Sequence, residues 1–207
     1  MFGLPENSHV GKQLPKTAIY AKFAMNSAER EKFDADISRM AIAHVIDTRH
    51  LAGGQEVKSI YVFTVQLKRK EYDPKNIVTL AKLIEQNIIF ALMFEDEVQL
   101  AVYCTRLVTS EWRATDDITI ELDGLDLDKV WNNLVATIGG ITISEGHSVA
   151  QQITMDDAQA KLMKQIEQLE KKARAEKQPR KKLELFEKLK ELKNKLTIGG
   201  KSETLSS

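Results

Sequence analysis

Ile60-Tyr61-Val62-Phe63-Thr64-Val65-Gln66-Leu67 decides the fold. Every residue but Gln66 and Leu67 is β-branched or aromatic, which favours a pleated backbone. The run is apolar on both faces, so it reads as a central strand covered on two sides. Lys68-Arg69-Lys70 stops it. Asp73-Pro74 then supplies an N-cap and an N1 proline. Ile77, Leu80, Ala81 and Ile84 form the buried stripe of the helix that follows. Residues 88–94 return as a strand, Glu95-Asp96-Glu97 turns, and 98–107 pairs back as a hairpin. Cys104 reads there as a small buried hydrophobe, since no activating motif surrounds it.

Further on, Trp112 lies in a loop, 118–122 reads as a short strand, and Asp123-Gly124 as a turn. Asp126 caps a helix through Ile138, with Leu127, Val130, Trp131 and Leu134 inward. Asp123, Asp126 and Asp128 do not make a calcium loop, because the glycine falls between the first two acids and no Glu closes it. Gly139-Gly140 ends the body.

Upstream, Asn26 with Glu29 makes a capping box. Phe33, Ile37, Met40, Ala41, His44 and Val45 follow at helical spacing, predicting one helix to about Asp47 before Gly53-Gly54. On such a helix His44 and His50 diverge by about 240°, so His44, Asp47 and His50 would not hold a metal. Residues 1–26 read as irregular around Pro5 and Pro15. Gly11-Lys12 is not a phosphate loop: Glu6 stands where the first glycine belongs and Gln13 where Ser or Thr belongs.

From Met155 the pattern changes. Leu162, Ile166, Leu169 and Ala173 step by four, three and four, and so do Leu185, Leu189, Leu192 and Leu196. That is a coiled-coil seam. Gln178-Pro179 breaks it, so the expectation is two helices, 154–177 and 179–196, folded as an antiparallel hairpin. Arms this short must bury their seams on each other, the body or a second chain, so a homodimer through these helices is open. The expected organisation is an α+β body with a mixed sheet at 1–140, a linker at 141–153, the hairpin at 154–196 and a flexible tail at 197–207.

The charge follows this division. The 207 residues carry 30 basic and 30 acidic side chains. Residues 1–154 hold 16 and 21 of them, a net of −5, while 155–196 hold 13 and 8, a net of +5. The zero total excludes a uniformly basic nucleic-acid binder but permits a local one. Candidate contacts are Lys12 and Lys16 in the body, and Lys171, Lys172, Arg174, Lys177, Arg180, Lys181 and Lys182 around the break. One cysteine excludes an intrachain disulfide, and four scattered His exclude zinc-cluster spacing. The apolar runs fall far short of the roughly 18 residues of a membrane span. No signal segment opens the chain, so a cytoplasmic protein without metal or cofactor is expected.

Several phrases resemble a bacterial family known as domain of unknown function 4391. They are Gly11-Lys12 with Leu14-Pro15-Lys16 and Tyr20, then Glu56-Val57-Lys58-Ser59 running into the central strand and Lys68. Leu122-Asp123-Gly124-Leu125-Asp126-Leu127-Asp128 and the segment from Glu176-Lys177-Gln178 to Lys195-Leu196 complete the set. The resemblance implies an accessory protein encoded near DNA helicases and methyltransferases of restriction or phage-defence type; it implies no activity. The expected function is therefore non-enzymatic, with a helicase or methyltransferase partner and DNA as a possible ligand of the basic helices. Two alternatives stand beside it. One is a magnesium-dependent nuclease, degenerate or active, of the restriction-endonuclease kind, in which Asp47 or Glu56 pairs with Gln66 as a weakened ligand and Lys68 polarises the phosphate or water. The other is a coiled-coil homodimeric scaffold.

Overall fold

A computed structural model describes residues 2–84, 86–144 and 146–201. They fall into two units, one ending at Thr142 and one beginning at Ile143.

The first unit is built on a mixed sheet. Its strands are β1 (His9–Leu14), β2 (Ile37–Asp47), β3 (Ser59–Leu67), β4 (Asn87–Phe94), β5 (Glu97–Cys104), β6 (Arg106–Thr109) and β7 (Arg113–Ala114). They lie in the order β1-β2-β3-β4-β5-β6, with β7 also paired to β5. Every pairing is antiparallel except β3 with β4. That parallel pair needs a crossover, which helix α3 (Pro74–Leu83) supplies after the Asp73 cap. The central position read for 60–67 is therefore observed, and Ile60, Val62, Phe63 and Val65 are all fully buried.

The two faces of the sheet carry different layers. On one face, Phe63, Val65, Phe90 and Leu92 pack with Ile19 of α1 (Lys16–Lys22), Phe33 of α2 (Ser27–Asp36), and Ile77 and Leu80 of α3. Each such side chain contributes about 1.5–3 kcal/mol by leaving water. On the other face lies α4 (Leu127–Gly139), which buries Leu127, Val130, Trp131, Leu134, Val135 and Ile138. Asp126 caps it, and Gly140 ends it with a left-handed φ of 58°, a conformation that side-chain-bearing residues resist. Asp128, in its first turn, accepts the amides of Gln55, Glu56 and Val57 and so ties the β2–β3 connection to α4.

The long helix expected over 26–47 is corrected. The Asn26–Glu29 capping box is present, but α2 stops at Asp36 and β2 runs from Ile37 to Asp47. The register shifts between Ile37 and Arg39 and again between Ile42 and His44. Each bulge adds a residue, so inward positions on one face become Ile37, Met40, Ile42 and Val45. Steps of three replace steps of two and imitate a helix. The irregular reading of 1–26 is corrected as well: β1 and α1 lie there, β1 being a largely exposed edge strand without an apolar signal. The segment 118–122 is not a strand. Ile118 and Ile120 alternate inward, but its only ladder-like bond described is the Ile120 amide to the Phe2 carbonyl. The strand expected over 98–107 is two, β5 and β6, hinged at Thr105 with a φ of 62°.

The second unit holds α5 (Val149–Ala175) and α6 (Pro179–Lys201). Ser148 and Gln151 make a capping box, which starts α5 inside the stretch read as a linker. Ile166, Ala173 and Leu189 are buried between the helices, with Leu162, Leu169, Leu185, Leu192 and Leu196 around them. Lys193 bridges back to Glu170 at 2.7 Å across the pair. The seam thus closes within one chain. Positions 202–207 of the expected tail lie outside the described residues.

Asp36 joins these pieces. Its side chain is 1% exposed and accepts from Arg69 Nε (2.9 Å) and Nη2 (2.6 Å), the Asp73 amide and Asn76 Nδ2. Burial raises its pKa, but these donors outweigh burial and hold it below the ordinary 3.8. Asp36→Ala should cost roughly 2–4 kcal/mol, since it strips an internal amide and carboxamide of their acceptor. A lowered carboxylate contributes stability above pH 3.8 that is lost as pH falls toward its folded value, so the variant should also lose part of the acid-side slope. Urea denaturation between pH 3 and 7 reads both, and an unchanged midpoint would show that Asp36 does not hold the junction.

Candidate functional site

The strongest concentration of charge is the tip of the α5–α6 hairpin. Pro179 cannot continue α5, and its fixed φ suits the first turn of a new helix. Between the two helices the chain turns through 176–178, where the Gln178 amide donates to the Glu176 carboxylate at 2.8 Å. The reversal brings the lysines that end α5 beside those that begin α6. Residues 171–188 carry eight basic and three acidic side chains, a net of +5.

Part of that charge is neutralised. Lys171 bridges Glu167 at 2.6 Å, Arg180 lies 3.6 Å from Glu184, and Arg174 only 4.0 Å from Glu170. All are exposed i,i+4 pairs, worth a few tenths of a kcal/mol and screened by salt. Lys172, Lys177, Lys181, Lys182 and Lys188 have no carboxylate partner among the described residues. Lys172, Lys177, Lys181 and Lys188 line an open cleft of about 690 Å³ with Leu185 and the carboxylates of Glu176 and Glu184, the latter beside Arg180. This arrangement offers mobile ammonium groups to a polyanion.

The body lysines behave differently. Lys16 points inward, donating to Asp34 at 2.6 Å and to the Ile37 carbonyl, with its side chain 21% exposed. Tyr20 donates to the same Asp34 oxygen. Burial and then this carboxylate push the Tyr20 hydroxyl up to about 12. Burial works upward on Asp34 too, but the Lys16 and Tyr20 bonds and the nearby charge of Lys68 keep it lowered. Lys16 is therefore a structural cation, and Asp34, which the sequence reading did not single out, is its reason. Lys12 pairs opposite Ile42, so the register turns it to the same face as α1–α3.

The nuclease residues are divided. Asp47 pairs with Ser59 at one end of the β2–β3 ladder, while Gln66 pairs with Arg39 at the other. At about 3.3 Å per residue the two stand roughly 20 Å apart, beyond the reach of a shared ion. Asp47 is instead held by Arg49, which lowers its carboxyl to about 2. Glu56 stays at the Asp47 end, in the connection that Asp128 binds. Gln66 donates to the Met93 carbonyl. Among the described residues, no group of three or more His, Cys, Asp or Glu is placed to hold a metal ion.

The chain belongs to the family described as domain of unknown function (DUF4391), whose family model matches residues 2–196. Among curated proteins and solved structures, none matches the chain. No helix among the described residues is long and apolar enough to cross a membrane.

His44, drawn into a metal reading by its spacing, has another role. It is 3% exposed, and its Nδ1 lies 2.9 Å from Ser8 Oγ. The Ser8 hydroxyl spends its proton on the Pro5 carbonyl, so His44 Nδ1 carries the hydrogen of that contact. Nε2 is left buried and without a partner among the described residues. Burial and the neighbouring His9 lower its pKa below 6.5, so His44 is neutral in the fold. The unfolded chain takes up the proton first as pH falls through 6.5, and stability drops from there until the folded value is passed. The slope is at most about 1.4 kcal/mol per pH unit for one proton. Thermal melting between pH 5 and 8 should show this decline, and His44→Gln should flatten it; an unaltered slope would assign the decline to other groups.

Proposed function

We propose that the protein is a non-enzymatic accessory factor that grips nucleic acid by its hairpin tip. One observation carries the reading: five lysines without carboxylate partners are gathered by the α5–α6 reversal, on a chain whose net charge is zero. Lys172 favours the dipole at the end of α5, but Lys181 and Lys182 at the start of α6 oppose theirs, whereas a phosphate backbone releases counterions to each of them. The net charge of −5 on residues 1–154 keeps the contact local. The wide separation of Asp47 from Gln66 supports a protein that binds rather than cuts. The family resemblance supports a partner of helicase or methyltransferase type in a bacterial restriction or defence system.

Binding of a short DNA duplex, followed by fluorescence anisotropy over a salt series, tests this. Four phosphate contacts give a slope of about −3.6 in log K against log salt. Replacing Lys172, Lys177, Lys181 and Lys182 together by Ala should remove most of that slope and weaken low-salt binding roughly tenfold or more. These side chains are exposed, so thermal stability should hold. No affinity at low salt, or a slope indifferent to the four substitutions, rejects the proposal.

A further inference from the structure

The face of the sheet that carries α4 has a second feature. Near the carboxyl ends of β3 and β4 it opens into a groove of about 270 Å³. His9, Gln13, Arg39, Thr64, Gln66 and Met93 line it. The register explains why they meet: Gln13 pairs with Ala41 and Ala41 with Thr64, while Arg39 pairs with Gln66 and Gln66 with Met93. Directly paired residues share a face, so four strands contribute to one surface.

Small residues and a bulge make the surface concave. Ala41 and Ala43 form the floor. Gly11 has a left-handed φ of 62° within the irregular stretch of β1, and a Cβ there would meet His9 Nε2 at 3.0 Å. His9 is further held edge-on against the buried His44 ring, with centroids 5.3 Å apart. The rim is thus set by packing.

Its chemistry is one-sided. Among the described residues, no carboxylate lines the groove. Arg39 is exposed and its guanidinium has no hydrogen-bond or ionic partner among the described residues. Gln66 donates one amide hydrogen to the Met93 carbonyl, which fixes the side chain and leaves its oxygen as an acceptor and its second hydrogen as a donor. Gln13 offers both donor and acceptor.

We propose that this groove binds a mononucleotide. The phosphate sits on Arg39, whose planar fork matches it bidentately. The ring lies on the Ala41, Ala43 and Met93 floor, and the Gln13 and Gln66 carboxamides meet its polar edge. At about 270 Å³ the groove falls just below the usual range of ligand pockets, about 300 Å³ and upward, which suits a ligand no larger than a single nucleotide. The site is independent of the hairpin tip.

Titration calorimetry of the full chain with AMP, CMP and inorganic phosphate tests it. A mononucleotide should bind saturably, and phosphate alone roughly tenfold more weakly, because it lacks the ring. Arg39→Gln should weaken the nucleotide roughly tenfold or more while leaving the melting temperature unchanged, since Arg39 is exposed. Ala41→Leu should block the groove. The four-lysine tip variant should bind the nucleotide like the parent. Silence toward both nucleotides at low millimolar concentration, equal affinity for phosphate and AMP, or binding that survives Arg39→Gln but is lost in the tip variant, overturns the assignment.

Discussion

The body depends on a carboxylate that faces inward where a helix becomes a strand. Asp36 is the last residue of α2, a position where a negative charge opposes the helix dipole. It is tolerated because Arg69, Asn76 and the Asp73 amide converge on it from segments 33 to 40 residues away. The Lys68 amide adds a bond to the Asp36 carbonyl. These contacts fix the start of β2 against the end of β3 and against the first turn of α3. Arg39, Gln66 and the lip of the sheet-face groove hang from that junction. The Lys16–Asp34–Tyr20 cluster secures the same corner from α1 and α2.

What could be read in the chain follows from how local each signal is. β3 declared itself through eight residues, α3 and α4 through a cap and a stripe, and the hairpin through its leucine steps around Pro179. The signals that failed were spread over distance. β2 imitates a helix because two bulges change its inward steps, and bulges are set by the partner strand. β1 is an exposed edge whose pairing leaves no apolar trace. Asp36 has no local pattern at all. Among candidate functional residues, the tip lysines were legible because they are contiguous. The groove was not, because β1, β2, β3 and β4 assemble it through register alone.

Charge and packing also explain why the second unit can hold a basic end. Two arms of a few heptads are marginal as isolated helices. Here Ile166, Ala173 and Leu189 close the seam within one chain, and the Glu170–Lys193 bridge spans it. Like charges at the tip cost little once the seam is buried, because they project into water and are screened within about 10 Å.

The two candidate surfaces then differ in kind, and the cations they use show how. A lysine is a hydrated point charge on a flexible stem and accepts a phosphate from any direction. Five of them at the tip, four lining an open cleft, suit a repeating backbone, which they can follow without reading it. Arginine presents a planar fork, and Arg39 stands beside Gln66, which is pinned to the Met93 carbonyl, and opposite a rim where Gly11 and His44 hold His9. A planar fork beside a pinned carboxamide discriminates by shape, at the cost of accepting few ligands. Neutral overall charge fits this arrangement: attraction is confined to the places where geometry decides what is kept.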